Sequence, residues 1–85
     1  MLDKEIIAFL IKLGQGIRAN PILFARAVFP DKPAGYVRAA RDIGSYAVNL
    51  GIALNCEDLG DPHAEKYYRI CERILGDLPA FVKGD

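Results

Sequence analysis

Along the first helix-length stretch, Leu2, Ile6, Phe9, Leu10, Leu13 and Ile17 recur at intervals that put them on one stripe at 100° per residue. Asp3 stands ahead of this run as a capping residue, so the pattern predicts a helix over residues 4–19. Ile7 and Ile11 fall off the stripe, four apart, with Gly14 nearby. They either widen the core face or form a second seam offered to another molecule, and the second reading makes them candidate interface residues. Asn20-Pro21 then reads as a cap followed by proline at the first helical position, where its missing N–H costs nothing. A short helix over "PILFARAVF" follows and stops at Pro30, and "PDKPAG" is a connector in which Asp31 can cap the next element.

The third helix is expected over roughly residues 33–55. Ala40, Gly44, Ala47 and Gly51 recur at spacings of four, three and four. They form a strip of small residues flanked by Val37 and Val48 on one side and by Ile43, Leu50 and Leu54 on the other. Glycine inside a helix costs roughly 1 kcal/mol relative to alanine, so two on one strip imply that something packs very close there. The strip marks this element as the central helix of a small bundle, or as a grip for a partner. Asp61-Pro62 is a strong start signal for a fourth helix, whose apolar stripe is Tyr67, Ile70, Cys71, Ile74 and Leu78. Gly76 and Pro79 disturb its end, and "AFVKGD" is left as a tail.

The stretch "NLGIALNCEDLGDPHAEKYYRICERIL" resembles one tetratricopeptide-type helix hairpin, with Leu50-Gly51, a Gly-Asp turn, an alanine early in the second helix and then Tyr67. The register departs by one residue at Ala64, and Ile70 stands where a small residue is expected. No second copy occurs in the chain, whereas stacked repeats need about three to bury a core. The resemblance covers about a third of the sequence and implies only an antiparallel hairpin. The expected fold is therefore all-α, one domain over residues 1–85: a compact bundle of three longer helices and one short, ending in that hairpin.

Composition bears on association. Of 85 residues, 52% are hydrophobic, and the mean hydropathy is +0.12. A domain this small has little interior, buries only about 60–65% of its unfolded surface, and leaves apolar surface outside as a monomer. Such patches mark interfaces, so a homodimer or a permanent protein partner is expected. Net charge is zero but uneven, with seven basic against four acidic residues in 1–42 and four against seven in 43–85. That polarity favours head-to-tail or antiparallel association and weakens the case for a whole-domain nucleic-acid footprint. Tyr46 and Tyr68 are further candidates for the contact surface. The longest uncharged stretch, Ile43–Cys56, is too short to span a bilayer, and the N-terminal apolar run is too short for a secretory signal, which leaves the cytoplasm as the expected compartment.

Candidate chemistry concentrates in "NCEDLGDPHAE", residues 55–65, which holds the only histidine, one of two cysteines and four of eleven acids. Cys56, His63, Asp58 and Asp61 are ligand types that suit zinc. No CxxC or HxxxH pair accompanies them, however, and Asp61 already has helix N–H groups to satisfy. Aligning Gly60 with a calcium-loop glycine puts Leu59 at a ligand position and Lys66 where the bidentate glutamate belongs. The segment reads as an acid-rich capped turn, with no metal or cofactor expected. Ser45 lies roughly 15 Å along the helix from the level of His63, too far for a serine–histidine dyad. Cys56 with His63 is a nucleophile–base pair on an exposed turn without a pocket. The chain is thus expected to be non-enzymatic. The alternative is a nucleic-acid accessory protein using Arg38, Arg41, Ser45 and Asn49 on one face of the third helix, with binding that weakens steeply as salt rises.

Overall fold

The computed structural model describes residues 3–31 and 36–79. They form four helices: α1 (Lys4–Ala19), α2 (Pro21–Val28), α3 (Tyr36–Asp58) and α4 (Ala64–Asp77). No strand occurs among the described residues. Leu2, most of the "PDKPAG" connector and the "AFVKGD" tail lie outside them, as does the expected start of helix three.

Each boundary has a local cause. Asp3 accepts the N–H of Glu5 at 2.8 Å and opens α1. Asn20 ends α1 by donating its N–H to the Gly16 carbonyl, while its side chain accepts the Leu23 N–H at 3.2 Å and so starts α2, with Pro21 at the first position. The chain turns by 100° at this point. α3 runs three residues further than the pattern predicts. It ends where Gly60 adopts φ +72, with the Asp61 N–H on the Cys56 carbonyl at 2.8 Å and the Gly60 N–H on the Glu57 carbonyl at 3.1 Å. This paired closure satisfies carbonyls that would otherwise be left bare at the helix end.

The small-residue strip of α3 does receive a close neighbour, and the neighbour is α1. The two helices run antiparallel, with Ile7 and Ile11 of α1 over Gly51 and Gly14 over Gly44 and Val48. A Cβ built on Gly14 would collide with the Gly44 carbonyl and come within 2.6 Å of Val48 Cγ2 and 2.7 Å of the Val48 nitrogen. A Cβ on Gly44 would reach the Gly14 carbonyl at 2.9 Å. Backbone therefore lies on backbone, which explains why glycine is retained in both helices despite its cost. α4 returns antiparallel along α3, as the hairpin reading requires, with Cys71 buried and its thiol 3.7 Å from the Tyr46 carbonyl. Tyr67, Ile70 and Ile74 are half-buried along α4, and Leu78, just past its end, is buried. Where the chain passes from α2 to α3, the rings of Phe29 and Tyr36 lie 5.8 Å apart.

α1 and α4 both pack on α3 and scarcely meet each other, so the bundle is organised around one central helix. Its extents are 42 × 23 × 19 Å and its radius of gyration is 13.6 Å, against about 12 Å for a typical domain of this length. No single described helix is long and apolar enough to cross a membrane.

Candidate interaction surface

The faces of α1 are assigned the other way round from the expectation. Ile7 is only 5% exposed and Ile11 is half-buried against Gly51, so the pair expected to form an intermolecular seam instead packs on α3. Of the expected core stripe, Ile17 is buried and Leu10 half-buried, but Ile6, Phe9 and Leu13 are 57%, 62% and 42% exposed. The physical reason is Gly14. It lies on the Ile7 and Ile11 side of the helix, and only a glycine lets α1 settle onto the glycine strip of α3. The apolar arc of α1 is wider than one contact can cover, and the half without a glycine is left outside.

This outward face continues onto α2. Ile22, Leu23 and Val28 are also exposed. In the crook of the 100° turn, Leu13, Gly16, Ile17, Leu23 and Phe24 line an open apolar groove of about 390 Å³. Lys12 and Asn20 stand at its margin. The interior, by contrast, is made largely of small side chains. Among the described residues its buried hydrophobic members are five alanines, a cysteine and the larger Ile7, Ile17, Val48 and Leu78, with other large apolar side chains half-buried around them. Eight large hydrophobic side chains of the described residues lie well exposed, six of them on α1 and α2. Scattered exposed leucines mean little, but a joined face of this kind is what an interface looks like before it is covered.

The two candidate tyrosines are half-buried between α3 and α4 and do not join this face. Tyr68 donates its hydroxyl to the Glu57 carboxylate, which pushes its pKa up to about 12 because ionisation would lose that bond and place two negative charges together. Tyr46 contributes its main-chain carbonyl to the Cys71 contact. Burial raises the Cys71 thiol above its ordinary value, which suits a packing role over a nucleophilic one.

The histidine turn is organised by its own hydrogen bonds. Asp61 accepts the His63 N–H at 2.8 Å and meets the His63 ring Nδ1 at 2.7 Å, and these two bonds, the backbone one first, lower its pKa. α4 begins at Ala64, two residues later than Asp61-Pro62 suggests, because those residues make a separate turn whose carbonyl at Asp61 accepts the Ala64 N–H. Cys56 is half-buried in the last turn of α3 and forms no disulfide. Among the described residues no group of three or more His, Cys, Asp or Glu side chains is placed to hold a metal ion.

On the alternative nucleic-acid face, Arg38 and Arg41 are exposed and Ser45 and Asn49 half-buried. The Asn49 side chain turns back to donate to the Ser45 carbonyl at 2.7 Å, which commits the amide donor to its own helix. Arg38 lines a polar groove together with Asp42 and Asp77, whose carboxylates oppose a phosphate there. The structure thus keeps the four residues on one helix, with the two arginines exposed and Arg38 beside two carboxylates. Compared with known proteins, the chain significantly matches no family model, no curated protein and no solved structure.

Proposed function

We propose that this chain is a non-enzymatic protein–protein interaction module that pairs with a second copy of itself through the outward face of α1. The observation that carries the reading is the apolar surface of Ile6, Phe9 and Leu13, exposed on the side of α1 away from the alanine and glycine contact with α3. A helix that leaves Ile6, Phe9 and Leu13 outside has favourable burial still to make. A second copy is the occupant favoured by charge. The whole chain is neutral, with eleven bases and eleven acids, and Glu5 and Lys12 put both signs beside this face. Two copies can therefore approach without net repulsion. The reading carries with it the cytoplasmic location expected from the sequence, and it needs no cofactor.

The test replaces Phe9 and Leu13 with glutamate, singly and together, and follows sedimentation velocity and far-UV circular dichroism. Loss of association with the helical signal retained supports the proposal. Unchanged sedimentation would place the contact elsewhere. A chain that stays monomeric but binds vesicles through the same residues would replace the protein partner with a lipid surface.

A further inference from the structure

We infer that the two copies pair by packing α1 against α1 antiparallel about a two-fold axis, with Ile6 of each on the partner's Phe9 and Glu5 of each beside the partner's Lys12. The inference rests on the self-association proposed above and adds its geometry. Ile6, Phe9 and Leu13 are spaced three and four apart, the seam of two helices packed side by side. Glu5 and Lys12 each immediately precede a seam residue, and both are exposed. They therefore flank the same edge of the seam, seven residues apart, on the side away from α3. Neither has an ion-pair partner among the described residues.

In a two-fold pair, a contact from one copy to the other is made twice. Running the helices antiparallel brings the glutamate edge of one copy level with the lysine edge of the other, so both ends of the seam gain an opposite-charge pair. Two registers keep apolar residues in contact. One sets Ile6 on Phe9 and brings Glu5 to Lys12. The other slides the copies by seven residues and sets Ile6 over the partner's Gly16. That register leaves Lys12 facing Lys12 across the axis. The charge pattern selects the first. Parallel pairing about an axis along the seam would put Glu5 and Lys12 of the two copies on opposite edges, where neither gains the opposite-charge contact.

Charge exchange tests this on the full chain by native mass spectrometry, with one variant isotopically labelled. Glu5→Lys alone and Lys12→Glu alone should each weaken self-association by roughly 3- to 10-fold, because each creates two like-charge contacts at an exposed rim. Mixed together, the two variants should form the mixed dimer in excess of its statistical share, since both of its contacts are then opposite in sign. The doubly exchanged chain should recover association. Both sites are on the surface, so thermal melts should remain close to those of the unaltered chain. A statistical mixture, or tighter pairing by Lys12→Glu alone, would overturn this geometry while leaving the dimer itself standing. A wild-type chain that never dimerises would overturn both.

Discussion

Placing alanine at Gly14 should destabilise the fold, even though alanine is the better helix former. A methyl group there would run into the Gly44 carbonyl and lie 2.6 Å from Val48 Cγ2 and 2.7 Å from the Val48 nitrogen. Two of those three neighbours are backbone, which cannot rotate aside, so α1 must lift from α3 along the contact it makes. Overpacking typically costs about 1–3 kcal/mol, and obstruction by backbone places this case near the top of that range. The gain in helix propensity returns about 1 kcal/mol. The net loss is about 2 kcal/mol, or a fall in Tm on the order of 8–16 °C for a domain of this size. Gly16→Ala is the internal control, two residues along the same helix with nothing within 4 Å of the added carbon. It should raise stability by roughly 0.4–1 kcal/mol. Both are read by thermal and urea melts at one fixed protein concentration, because association shifts the apparent stability. At Gly51 the nearest atom is the Ile11 side chain, which can move, so Gly51→Ala should cost less than Gly14→Ala. Equal stability for Gly14→Ala and Gly16→Ala would refute the close backbone approach of α1 and α3.

Three further predictions concern the faces of α1 and the hairpin. Ile7→Ala should cost about 2–4 kcal/mol in a urea melt, as a buried isoleucine does, whereas Ile6→Ala should leave the monomer nearly as stable and weaken association instead. Gly60→Ala should lower stability by about 1–2 kcal/mol, because φ +72 strains an L side chain, and Gly60→Asn should cost less. Tyr68→Phe should remove the tyrosinate absorbance step near pH 12. Because the folded pKa lies above the ordinary value of 10.0, this tyrosine's contribution is full below about pH 10 and is lost as pH rises towards 12. A pH-titration of stability should show that loss in the wild type and not in Tyr68→Phe.

Much of the architecture is legible in short-range chemistry. Asp3, the Asn20-Pro21 pair and the break at Pro30 fix α1 and α2 almost to the residue, because a cap acts over three or four positions. The strip of Ala40, Gly44, Ala47 and Gly51 correctly signals a helix at very short range, since nothing else explains two glycines there. The orientation of α1 is not legible from periodicity. Its apolar residues cover an arc too wide for a single contact, and a 3.6-residue period does not say which half turns inward. The deciding signal was Gly14: a strip without side chains is best met by a residue without one, so the inward side of α1 is the side that carries the glycine. The start of α4 was misplaced for a different reason. Asp61 and Pro62 satisfy local turn geometry equally well one turn ahead of the helix, and a local signal does not distinguish the two.

The central claim is that the outward face of α1 is covered by a second copy of the chain. Sedimentation equilibrium of the untagged 85-residue chain over a concentration series tests this most directly. The account predicts a mass approaching twice 9.3 kDa as concentration rises, with Phe9→Glu holding at the single-chain value while remaining helical. A wild-type mass of 9.3 kDa throughout the soluble range would contradict it.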